Sequence, residues 1–151
     1  MDKMETFHKL KESGIAAVMR LSCKERVHKA IDALSAGGAK AIEVTMSTPN
    51  AVEIIDEITD DLDDSFLVGA GTLLDEGTTR EVIQAGAQFV VSPILKPEIV
   101  ETAHRYDTLV APGAFSPSEI FSAWEMGADV VKVFPATRLG PKYLSKIHGP
   151  L

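Results

Sequence analysis

The 151-residue chain has one cysteine, one tryptophan and two tyrosines, and aromatic residues make up only 6% of it. The lone Cys23 leaves no partner for an internal disulfide, which points to a cytoplasmic home. No apolar run reaches the ~18 residues of a membrane span, and the opening MDKMETFHKL lacks the apolar centre of a secretion signal. Positive charge is also scarce: 15 Lys and Arg face 22 Asp and Glu, a formal net charge of −7. That balance argues against nucleic acid or a membrane surface as partner, although a local basic pocket for a small anion is still allowed. The four histidines, His8, His28, His104 and His148, are scattered without metal-ligand spacing. They read as surface residues, and no metal is expected.

What is present is 45% hydrophobic and 25% charged sequence, ordinary for a globular domain and enough for a sizeable core. Short apolar runs at 14–19, 41–46, 66–70, 88–91, 108–111 and 129–134 read as six strands. Amphipathic helices are expected between them at 24–36, 50–58, 76–85, 97–106 and 117–126. In the helix at 97–106, Ile99, Ala103 and Tyr106 fall near one face, with Glu98, Glu101 and Arg105 left to solvent. Ser116-Pro117-Ser118-Glu119 combines an N-cap serine, a first-turn proline and a glutamate closing a capping box. Gly37-Gly38-Ala39, Gly86-Ala87 and Gly127-Ala128 each end a helix just before a strand. Strict alternation of strand and helix implies a parallel α/β fold, read as a single domain over residues 1–151. Polar residues inside several strands favour a (β/α)8 barrel, with an active site at the strands' C-terminal ends, over an open sheet.

Two of those polar residues carry the chemistry. In DVVKVF, Lys132 shares its face with Val130 and Phe134, while Val131 and Val133 face the other way. On a central barrel strand Lys132 projects inward, where burial disfavours the charged form and a neutral amine suits Schiff-base chemistry. The alternative is a lysine at a strand end with its head in water. Glu43 in AIEVTM shares the inner face with Ala41 and Thr45. It reads either as a general acid–base or as a structural ion pair with Lys132 or Arg20. Small residues in GAGT (69–72) let a ligand approach the backbone, with the Thr72 hydroxyl at the rim. Ser92-Pro93 and Pro112-Gly113 start loops after the fourth and fifth strands. Arg20 ends the first strand, where a guanidinium could take a carboxylate or phosphate, or pair with a glutamate.

GGAKAIEVTMSTP, VGAGTLL, AGAQFVVSP and GADVVKVFPA, in this order and one per strand, resemble the 2-keto-3-deoxy-6-phosphogluconate (KDPG) and 4-hydroxy-2-oxoglutarate (KHG) aldolases. The resemblance runs from about Gly14 to Leu151. It implies a metal-free, cofactor-free TIM barrel, usually a homotrimer, acting on a small 2-keto acid. By the same resemblance Lys132 is the Schiff-base lysine and Glu43 the catalytic acid–base. Thr45, Thr72, Pro93 and Phe134 line the substrate pocket, and Arg20 holds the substrate's anionic group. Related enzymes cleaving 2-keto-3-deoxy-6-phosphogalactonate are the close alternative, and a non-catalytic truncated barrel acting as an assembly partner is the third.

Two departures stand out. Many family members carry arginine two residues after the threonine of EVT; here that position is Ser47. Family chains also continue for two more strands with a glycine-rich phosphate loop, whereas this one stops at HGPL. The expectation is therefore the first six βα units of a barrel, apparently truncated at the C-terminal end, with two edges open.

Overall fold

The computed structural model describes residues 1–20, 26–62 and 66–150. Cys23 and the first residues of the helix expected at 24–36 lie outside them. Strand β1 (Ala17–Met19) is followed by α2 (Val27–Ala36), β2 (Ala41–Thr45), α3 (Ala51–Asp61) and β3 (Leu67–Gly71). Then come α4 (Glu76–Gln84), β4 (Phe89–Val91), α5 (Pro97–Arg105), β5 (Leu109–Ala111) and β6 (Gly113–Ala114). The chain continues through α6 (Pro117–Glu125), β7 (Lys132–Val133) and α7 (Gly140–Ile147). A further helix, α1 (Lys3–Ser13), precedes β1.

The strands pair in parallel in chain order, β1-β2-β3-β4-β5, with β6 pairing β7. This is the α/β alternation of a partial barrel. β5 matches the fifth expected strand, while β6 lies where a loop was expected, beyond Pro112, which has no N–H to give the ladder. The seam is nonetheless bridged: Val130 N–H donates to the Val110 carbonyl at 3.2 Å and Lys132 N–H to that of Pro112 at 2.9 Å.

Period-two alternation sorts the strand side chains into two layers. Ile42, Val44, Val68, Ala70, Val90 and Val110 pack outward against Ile54, Ile55, Ile58, Val82, Ile99 and Val100 of the helices. Ala41, Leu67, Phe89, Val91, Leu109 and Ala111 form the interior, and Phe7 and Leu10 of α1 with Val130, two residues before β7, pack against them. Glycine on the inner face of β3 makes this interior possible. A Cβ on Gly69 would overlap the Phe89 ring, so the glycine makes room for that ring against the strand. Asp129 ties α1 to the barrel: it accepts from Val110 N–H at 3.0 Å and pairs with Lys3 at 2.9 Å.

The punctuation read from sequence holds. Ser116 and Glu119 form the capping box of α6, with both reciprocal bonds present. Gly86 and Gly127 take the left-handed backbone at their helix ends. At the first such site the left-handed residue is Gly38, while Gly37 stays right-handed. All four histidines lie exposed. Tyr106 departs from its expected face: it caps α5 from outside the helix and is exposed, whereas Ile99 and Ala103 are fully buried. At β1, which pairs only with β2 among the described residues, Val18 is 50% exposed and the preceding Ile15 64%. No helix among the described residues is long and apolar enough to cross a membrane.

Candidate active site

Glu43 and Lys132 meet inside the barrel, although 89 positions separate them. Their charged atoms lie 3.6 Å apart, with the Glu43 side chain 7% exposed and that of Lys132 28%. β2 holds Glu43 between β1 and β3, in register with Val18 and Gly69. β7 holds Lys132 opposite Gly113. Gly113 is itself pinned, because a Cβ there would overlap the Pro93 backbone, and its N–H donates to the Ile94 carbonyl at 3.3 Å. Of the two cations weighed for Glu43, the geometry selects Lys132. Neither extreme expected for the lysine is realised: it is neither fully buried nor free in water. The Phe134 ring, itself 42% exposed, lies 5.5 Å from the ammonium, within reach of a cation–π contact.

The other residues proposed from sequence fall at the C-terminal ends of their strands. Thr45 closes β2; its fully buried hydroxyl shares a 2.8 Å hydrogen bond with Ser47 Oγ and donates to the Met19 carbonyl at 3.3 Å. Ser47 is thus engaged with the end of its own strand. Thr72 follows β3 with φ 63°, a left-handed backbone that costs a β-branched residue about 1–3 kcal/mol. Such strain persists only where the surroundings impose it. Here Leu73 is clamped on both sides: its N–H donates to the Val91 carbonyl at 3.2 Å, and its carbonyl accepts from Ser92 Oγ at 2.8 Å. Ser92 Oγ also accepts from Ile94 N–H at 3.2 Å, so one buried hydroxyl fastens the Thr72 loop to the half-buried Pro93 loop. Arg20 lies just beyond β1 and is exposed.

Sequence reasoning treated Ser92 and Gly113 only as turn chemistry, and read GAGT as a place for a ligand to approach without assigning Gly71 a neighbour. Their functions in the site come from contacts across strands, of which the motif spacing gives no more than the position. Among the described residues no group of three or more His, Cys, Asp or Glu is placed to hold a metal ion. The arrangement therefore offers one amine, one carboxylate in contact with it, and a rim of hydroxyls: the parts for covalent catalysis with proton transfer.

Comparison with known proteins agrees. The KDPG and KHG aldolase family model matches residues 7–151. The 2-dehydro-3-deoxy-6-phosphogalactonate aldolase of Escherichia coli (strain K12) is 29% identical over 137 residues, covering 91% of this chain and 67% of the relative. The 2-dehydro-3-deoxy-phosphogluconate aldolase of Treponema pallidum (strain Nichols) is 42% identical over 119 residues, 77% of this chain and 56% of the relative. A crystal structure of KDPG aldolase from Legionella pneumophila, with pyruvate captured as a covalent carbinolamine, superposes with a TM-score of 0.81 at 30% identity. That match covers 90% of this chain and 66% of the other. The chain thus spans between about half and two thirds of the length of these relatives. With its four motifs on β2, β3, β4 and β7 and the family model matching nearly all of its length, the chain belongs to the KDPG and KHG aldolase family.

Proposed function

We propose that this protein is a class I aldolase, cleaving 2-keto-3-deoxy-6-phosphogluconate to pyruvate and glyceraldehyde 3-phosphate, 4-hydroxy-2-oxoglutarate to pyruvate and glyoxylate, or both. The observation that carries the reading is the 3.6 Å Lys132–Glu43 pair inside the barrel. Glu43, in contact with the amine, is the group placed to take up a proton from it and free the nucleophile. Lys132 Nζ then adds to the C2 ketone; the carbinolamine loses water to give an iminium. Glu43, directly or through a water, removes the C4 hydroxyl proton, and the C3–C4 bonding electrons flow into the iminium. An aldehyde departs and an enamine remains. Protonation at C3 and hydrolysis release pyruvate and restore the amine.

The rim residues take supporting roles in this scheme. Thr45, Thr72 and Pro93 shape the keto-acid pocket, Phe134 packs beside the amine, and Arg20 meets the substrate's anionic group. The chain is read as one barrel domain. A homotrimer is proposed, and the apolar cleft of about 540 Å³ between α6 and α7, with Phe121 and Trp124 exposed along it, offers a surface for self-association. The same reading places the protein in the cytoplasm, where a single cysteine stays reduced. Cleavage of 2-keto-3-deoxy-6-phosphogalactonate is the second reading, favoured by the likeness to the Escherichia coli enzyme. The test is pyruvate release from the three substrates side by side, for the parent chain and Lys132→Ala. The expected result is release that is lost in the variant; equal release by both would refute the assignment.

A further inference from the structure

The inner face of β3 carries two glycines, and neither is there for its backbone: Gly69 and Gly71 are not among the residues with positive φ. Glycine within a strand sacrifices packing and costs chain entropy, so each position needs another reason. For Gly69 the reason is the Phe89 ring. For Gly71 it is Glu43. The three atoms nearest to a Cβ built on Gly71 are Glu43 Oε1, Cδ and Cγ, all in overlap. Glu43 is in register with Gly69, and its side chain leans along the strand direction so that the carboxylate lies over Gly71. That lean carries the carboxylate toward the C-terminal mouth, where Lys132 stands 3.6 Å away. The backbone beneath cannot yield easily, because Met46 N–H donates to the Gly71 carbonyl at 2.9 Å and locks β3 to the end of β2.

We infer that Gly71 is a positioning residue for the acid–base: the bare Cα is the seat on which the Glu43 carboxylate rests in contact with the nucleophile. A methyl group there evicts the carboxylate from Lys132. The inference rests on the proposed aldolase reading, in which Lys132 and Glu43 are nucleophile and proton carrier.

Two measurements on Gly71→Ala test it. The first is urea unfolding of the parent, Gly71→Ala, Glu43→Ala and the double variant. Gly71→Ala should lower the midpoint when Glu43 is present and leave it equal or higher when position 43 is alanine, since the colliding atoms are gone. Equal losses in both backgrounds, or a double variant that fails to fold, would overturn the inference. This arm needs no turnover, so it decides the matter even if the parent is inert. The second is exchange of the pyruvate methyl protons for deuterium, which reports iminium formation followed by proton removal. Gly71→Ala should still be trapped with pyruvate on Lys132 by borohydride, yet exchange at least ~10²-fold more slowly than the parent. Exchange at the parental rate would overturn the inference, whereas a parent that neither traps nor exchanges would instead refute the aldolase reading.

Discussion

Replacing Lys132 with methionine keeps most of the stem's volume and deletes its charge. Glu43, with a 7% exposed side chain, would then lose the cation 3.6 Å from its carboxylate. Two unit charges at that separation attract by about 4–5 kcal/mol at an effective dielectric near 20. Much of this is offset by the cost of drawing both groups out of water. Lys132 keeps 28% of its side chain exposed, so water also screens the pair. The net loss for Lys132→Met is therefore expected at about 1–2 kcal/mol, below the value for a fully buried pair. Glu43→Gln strands the more exposed partner, which can still reach water, and should cost less than about 1 kcal/mol. The double variant should recover most of the lysine's loss, because no stranded carboxylate remains. Urea unfolding at pH 7 followed by far-ultraviolet circular dichroism measures all four proteins. A Lys132→Met chain at least as stable as the parent, with no coupling in the double variant, would refute this account of the pair.

Glu43→Gln should slow pyruvate release by roughly 10²–10⁴-fold while leaving the fold intact, the usual worth of a positioned acid–base; near-parental steady-state rates would make Glu43 structural. Asp75 caps α4 by accepting from Thr78 N–H at 2.8 Å, and that bond holds its carboxyl below the ordinary value of 3.8. Because the folded carboxyl is the stronger acid, its stabilisation is full above that value and is lost as pH falls through the lower one. Asp75→Ala should thus cost about 0.5–2 kcal/mol at pH 7, and the gap between parent and variant in urea midpoints should narrow progressively as pH falls below 3.8.

How much of this was legible follows from how far each signal reaches along the chain. β1 to β5 and β7 announced themselves by short apolar runs, and Glu43 and Lys132 by breaking two of those runs. Helix α1 was missed although Asp2 caps it and Gly14 closes it in the left-handed backbone. It is a charged helix whose apolar contacts with the interior are Phe7 and Leu10, too narrow a stripe to stand out. Helix α7 was missed for a related reason: Leu144 and Ile147 face a shared cleft with α6 rather than a buried core. Strand β6 has two residues beyond a proline, below what periodicity can register. The seats of the site were hidden more deeply. That Gly71 makes room for Glu43, that Gly113 makes room for Pro93, and that Ser92 fastens two loops are facts about neighbouring strands. A pattern read along one strand cannot contain them.

The claim on which the rest depends is that Lys132 forms a Schiff base with a 2-keto acid. Incubation with pyruvate followed by borohydride reduction fixes any such imine as a stable amine, and proteolysis with mass spectrometry locates it. The account predicts one reduced pyruvate adduct, on the peptide bearing Lys132, and none in Lys132→Ala. An unmodified Lys132, or an adduct on another lysine that persists in Lys132→Ala, would contradict it.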